Sequence, residues 1–319
     1  MNTFLRLHLP CLIVALSFAQ MCLGINMPDS SAKWTKMAVF PASSRNYGLG
    51  FTIDKKGYYG FGQKQTKPFV YKTYQDLWEY DPATNSWSQK ADFPGPARLM
   101  AKGFLINNKI FVGFGYVIAA SGPNAGSNDY QTDLYEFDPS TNRWLKKNNA
   151  LLGRGDLFFV LKDIMYSVNP EFRTLNKYNA GTDTWFETKW EKSEIAPSGS
   201  DVSGTFITFS SSDREYIITT TWKKNGIVNQ LWELDPFNVI WRRKNDLPAG
   251  GSDSILVFSA GEKDFAIRGS RELLEYDSAS DAWISKKNIP AEHKDLYPVF
   301  SIGERSYGFT KFEFWEFVP

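Results

Sequence analysis

Cysteine is nearly absent from this chain. Of 319 residues only Cys11 and Cys22 carry a thiol, both near the amino terminus, so nothing beyond residue 22 can hold a disulfide framework or a thiolate-bound metal. Histidine is as scarce, with His8 and His293 alone. The charges nearly cancel, 36 basic against 35 acidic, which leaves no basic field for nucleic acid or an anionic membrane. Neither a Ser-His-Asp order, nor a phosphate loop, nor a metal-ligand cluster can be read in the sequence. The most apolar run, Leu12-Ile-Val-Ala-Leu-Ser-Phe-Ala19, is too short to cross a bilayer as a helix.

That run follows Arg6 and reads as a secretion signal over residues 1–19. Ser17 and Ala19 suit cleavage before Gln20, and a cut after Gly24 is the alternative. Gln20 and Met21 are poor neighbours for lipid processing, so an anchor on Cys22 is not expected. The remainder, residues 25–319, is expected to work outside the cytoplasm, secreted or periplasmic, as one domain and a monomer. With 42% hydrophobic residues it has ample material for a core.

What the chain does have is an internal repeat. Asp76-Leu-Trp-Glu-Tyr-Asp-Pro-Ala-Thr-Asn-Ser-Trp87 returns nearly unchanged as Asp133-Leu-Tyr-Glu-Phe-Asp-Pro-Ser-Thr-Asn-Arg-Trp144, and in looser form ending at Trp185, Trp241 and Trp283. A last copy, Phe314-Trp-Glu-Phe-Val-Pro319, stops before its Trp, and an unmatched Trp34-Thr-Lys-Met-Ala-Val-Phe-Pro41 stands at the other end. Within the unit, residues alternate with the two-residue period of a strand, Asp-Pro breaks it, and the Trp opens a return strand. Upstream, Gly57-Tyr-Tyr-Gly-Phe-Gly62 and Lys109-Ile-Phe-Val-Gly-Phe-Gly115 are strands with glycines where another backbone comes close. Before those lie the short apolar runs Gly48–Ile53 and Gly103–Ile106, which makes four strands per unit.

The Trp spacing, 41 to 57 residues, fits the kelch period, and the wording of the unit resembles kelch β-propellers, bacterial exported ones in particular, over about residues 33–319. The resemblance implies an all-β fold: a six-bladed kelch propeller of four-stranded antiparallel blades, the last blade closed by the amino-terminal strand pairing with residues 312–318. The glycine doublet typical of the family is reduced to Gly-Phe-Gly in the first two units and lost at Tyr216-Ile-Ile-Thr219 and Asp264-Phe-Ala-Ile267, so irregular middle blades are expected.

Binding is expected on one face. Long second-to-third-strand loops, 63–75, 116–130 (from Tyr116) and 222–229 (from Trp222), either bind a partner or cover blade edges. Aligning the innermost strands puts Arg45, Arg98 and Arg154 at the channel mouth of blades 1 to 3 and Asp201, Asp253 and Asp295 at that of blades 4 to 6. These six either hold a polar ligand or pair off among themselves. The aromatics, 16% of the chain, are read as packing between blades rather than as sugar platforms, and His293 as a solvated loop residue.

Enzymatic kelch propellers are tested residue by residue. The copper-radical oxidases need a Cys and two His ligands, which the propeller lacks. The sialate epimerases carry a Glu and Arg pair after the second strand of a middle blade, where this chain has Thr219-Thr-Thr-Trp222. The Glu, Asp and His set of the iron-dependent specifier proteins has no match. The first reading is therefore a binding or scaffold protein for a carbohydrate or an envelope or extracellular protein, without cofactor or metal. The second is a sugar-acid-modifying, epimerase-like enzyme using the Arg and Asp mouth.

Overall fold

A computed structural model describes residues 34–43, 45–68, 70–118, 128–150, 157–169, 174–189, 206–211, 214–235, 240–248, 250, 254–269, 271–310 and 313–319. The signal segment, Cys22, Arg154, Asp201 and Asp253 lie outside the described residues. Six four-stranded antiparallel sheets follow one another along the chain. Blade 1 runs from an innermost strand Leu49–Ile53 through Lys56–Gly60 and Leu77–Asp81 to an outer strand Ser86–Gln89. Blades 2 to 5 start at Lys102–Ile106, Leu157–Leu161, Phe206–Ser211 and Ile255–Ala260. Blade 6 takes Tyr297–Ile302, Arg305–Thr310 and Glu313–Phe317, then borrows Trp34–Lys36 from the far end of the chain as its outer strand. The register is Trp34 opposite Phe317, Thr35 opposite Glu316 and Lys36 opposite Trp315. The innermost strands touch their neighbours in a complete cycle, blade 6 against blade 1 included. No sheet edge is then left open at the seam, which is what closing a ring of blades achieves.

Burial follows from strand periodicity. Each sheet has two apolar faces, and the buried side chains gather into six clusters, one at every junction between adjacent blades. The seam cluster is aromatic: Phe40, Tyr59, Tyr80, Phe300, Tyr307 and Phe314. The aromatic residues of the repeat thus pack between blades, as the sequence suggests.

The conserved wording of the unit has a physical reading. After the third strand the chain turns through Asn85, Asn142, Asp183 or Asp281, each with φ between 48° and 54°. Asn and Asp tolerate that conformation best. Their side-chain oxygens accept the backbone N–H of Ala38, Ala91, Asn148 and Asn245 of the preceding blade. Two residues on, Trp87, Trp144, Trp185 and Trp283 donate Nε1–H to the carbonyls of those same four residues. The turn and the Trp form a two-way clip between blades. The Glu of the unit serves the sheet itself: Glu79, Glu136, Glu233, Glu275 and Glu316 each take basic side chains from the second or outer strand of their own blade.

Two expectations are corrected. The 63–75 and 222–229 segments, expected as long loops between second and third strands, are largely paired strands. Gln63–Lys67 pairs with Val70–Thr73, and the second and third strands of blade 4 run on as a ribbon of ten residues each, Arg214–Lys223 and Gly226–Asp235. Their β-branched and aromatic residues favour extended backbone, and the short turn before Gly226 closes the ribbon. In 116–130 the described ends likewise pair, Tyr116–Ile118 with Asn128–Tyr130. The middle blades are also regular: blades 3 to 5 pair in continuous register among the described residues, and the register shift in a blade falls at Pro298 to Phe300 of blade 6. Cross-strand pairs and burial sustain these sheets without the glycine doublet.

Candidate functional site at the channel mouth

Where the second strand leaves blade 1, Phe61 adopts a left-handed φ of 61° and Gly62 one of 80°; Phe114 and Gly115 do the same in blade 2. A Cβ on Gly60 or Gly113 would sit 2.2 Å from the carbonyl of Asp76 or Asp133, so the corner needs its glycines. The non-glycine φ is sustained by burial of each Phe and by an arginine. Arg45 donates to the Phe61 carbonyl at 3.1 Å and forks onto the Asp76 carboxylate; Arg98 does the same with the Phe114 carbonyl and Asp133. Burial pushes the Asp76 carboxyl upward, but the Arg45 guanidinium and the Trp78 N–H outweigh it and hold the group below the usual carboxylate range.

The sequence-based ring is therefore revised. Arg45 and Arg98 are neutralised by the aspartate that opens their own repeat, not by aspartates of the opposite blades. Asp295 also moves place. Tyr47, Met100 and Asp295 share a left-handed φ of 54° to 66° just before their innermost strands, so the residue equivalent to Arg45 and Arg98 in blade 6 is His293. His293 is buried rather than solvated. Its ring stacks on Trp34 at 4.1 Å and meets the edge of Trp315 at 4.4 Å, and its Nδ1 has no hydrogen-bond partner. Burial lowers its pKa against the pull of Glu292 and Glu313.

Two cavities open where the innermost strands begin. The larger one, about 620 Å³, lies between blade 1 (Arg45, Asn46, Tyr47, Tyr59), blade 5 (Ser254, Leu256, Gly269) and blade 6 (Asp295, Leu296, Tyr297, Phe309). The smaller one, about 300 Å³, is bounded by Leu49, Lys102, Phe104, Phe158 and Thr208 among others. Tyr47 and Tyr297 line both. Burial raises the Tyr297 and Tyr59 phenols above the ordinary tyrosine range, so both are protonated hydrogen-bonding groups at neutral pH. Lys102 lines the smaller cavity and is exposed, yet the surrounding protein lowers its pKa, and among the described residues no carboxylate lies within ion-pair distance of it.

Of the candidates read from the sequence, the structure brings Arg45 and Asp295 into one cavity. Arg98 is buried in its own blade. Tyr116 sits on its hairpin against Tyr130, and Trp222 is half exposed on the blade 4 ribbon; neither lines these cavities. Thr219, Thr220 and Thr221 are buried within that ribbon. Tyr47, Lys102 and Tyr297 were not singled out in the sequence, although a lone Lys heading the apolar Lys102–Ile106 strand was a usable sign. Among the described residues no cluster of His, Cys, Asp or Glu could hold a metal ion, and no helix is long and apolar enough to cross a membrane.

No family model matches the sequence. Two N-acetylneuraminate epimerases of Haemophilus influenzae are similar: that of strain 86-028NP is 25% identical over 177 residues, 47% of each chain, and that of strain PittEE 24% identical over 244 residues, 66% of this chain and 64% of that one. The N-acetylneuraminate epimerase of Yersinia enterocolitica is 29% identical over 135 residues, 41% of this chain and 31% of its own. The chain thus spans less than two thirds of the length of each of these relatives. The solved structure of YjhT aligns with a TM-score of 0.57 at 16% identity, covering 80% of this chain and 88% of that one. The six antiparallel blades and the closing strand borrowed from the far end of the chain make this protein a six-bladed β-propeller.

Proposed function

We propose that the chain binds a sugar acid related to N-acetylneuraminate at the channel mouth. The observation that carries this reading is the pair of neighbouring cavities that share Tyr47 and Tyr297, in a propeller whose sequence relatives are N-acetylneuraminate epimerases. Their volumes fall within the range of small-molecule sites, and apolar walls with a few convergent polar groups are what such sites use. A scaffold for an envelope protein, bound through the hairpins of blades 1, 2 and 4, is the competing use of the same face.

Epimerisation is the second reading, favoured by the names of the relatives. It needs a proton acceptor beside the sugar, and the place where the family's Glu and Arg pair falls is occupied here by buried threonines. Binding without turnover therefore fits better. Titration calorimetry of the chain with N-acetylneuraminate is expected to show saturable binding, while proton NMR of the same mixture shows anomer exchange no faster than in buffer. Absence of binding would overturn the first reading, and accelerated exchange would establish the second.

A further inference from the structure

Charge is distributed unevenly between the two neighbouring cavities. In the larger one the Arg45 guanidinium is consumed by Asp76, and Asp295 is the carboxylate that remains. In the smaller one Lys102 is the charged side chain, and no described carboxylate balances it. Tyr47 and Tyr297 are the other titratable groups lining that cavity, with Phe104, Phe158 and Thr208 among the rest of the wall. A cation held in such surroundings without a partner gains most from an anion that can bring its own charge to it. The Asp295 carboxylate of the larger cavity repels that anion and accepts hydrogen bonds from hydroxyls instead.

We propose that Lys102 is the specificity-determining residue for an acidic sugar, taking the ligand's carboxylate in the smaller cavity while its hydroxylated end lies across Tyr47 and Tyr297 against Asn46 and Asp295 of the larger one. This rests on the sugar-acid reading above and adds to it the group that selects the acid and the direction in which the ligand lies. Partner choice then comes from a difference between two ligands, the acid and its uncharged analogue, rather than from total affinity.

The test is calorimetric titration of the chain and of its Lys102→Met and Lys102→Arg variants with N-acetylneuraminate and with its methyl ester at neutral pH. The chain is expected to favour the acid over the ester roughly ten-fold or more, the size of one charge-assisted hydrogen bond. Lys102→Met should bind both alike, and Lys102→Arg should restore the preference. Raising the pH should weaken acid binding earlier than a lysine free of neighbouring protein would cause, since desolvation by the surrounding protein lowers the Lys102 pKa, while ester binding stays level over the same range. Thermal unfolding of Lys102→Met should be no lower than that of the parent, because the variant removes a desolvated charge. Equal affinity of the parent for acid and ester, or a preference kept by Lys102→Met, overturns the assignment and leaves the sugar-binding reading standing. If neither ligand binds the parent chain, both fall.

Discussion

At the residue scale, two kinds of cation meet at the mouth and they differ in what they do. Arg45 and Arg98 are structural: each fixes a left-handed Phe carbonyl and the Asp that begins its repeat. Removing one partner of such a pair leaves the other charge buried and uncompensated. Asp133→Asn is accordingly expected to cost about 3–5 kcal/mol in denaturant unfolding. Lys102 has no such partner among the described residues, and its substitution by Met is expected to leave stability unchanged or raised. The Asp at the head of the repeat was visible in the sequence, but its role was not, because its arginine lies 31 residues away in blade 1 and 35 in blade 2. Sequence alignment also assigned Asp295 to the arginine position; the backbone φ values move it by two residues, and that displacement brings His293 to the seam.

At the element scale, the seam strand is short. Three residues, Trp34–Lys36, pair with the closing strand. Side chains compensate for that brevity: Trp34 stacks on Phe317 at 4.7 Å and on His293 at 4.1 Å. The imidazole sits between elements from both ends of the chain, so its protonation bears on closure. In the unfolded chain it takes a proton near pH 6.5, whereas burial lowers that pKa in the folded protein. The unfolded state then binds more protons below that value, and stability falls as pH drops through about 6.5 toward the lower folded pKa. Thermal midpoints measured from pH 8 to pH 5 are expected to decline for the parent chain and to decline less for His293→Phe, which keeps the stack without the titration.

At the scale of the whole molecule, a ring of blades is only as stable as its last junction. Residues 34–41 supply the outer strand of blade 6 and also Phe40, which packs edge-on against Tyr59, Trp78, Trp87 and Phe309 between blades 6 and 1. Loss of Phe40 alone is worth about 3–5 kcal/mol on the usual scale for a buried aromatic. Deleting residues 34–41 is therefore expected to abolish the cooperative thermal transition. Appending the same eight residues after Pro319 is expected to restore it, since the strand would reach the same edge from the other side. A deletion that unfolds with an unchanged midpoint would show that the ring does not depend on this closure.

The sequence by itself determined the number of blades, their strand order and the borrowed strand, because these follow from local periodicity, from turn chemistry around Asp-Pro and Asn, and from a repeat that begins in one terminus and ends in the other. Only the tertiary structure decided which charges are spent and which are left. Arg45 and Arg98 looked like ligands and are locked into their own blades; Lys102 looked like the polar start of a strand and has no ion-pair partner among the described residues. Electrostatic role depends on distances between residues far apart in the chain, and the closing of the ring sets those distances.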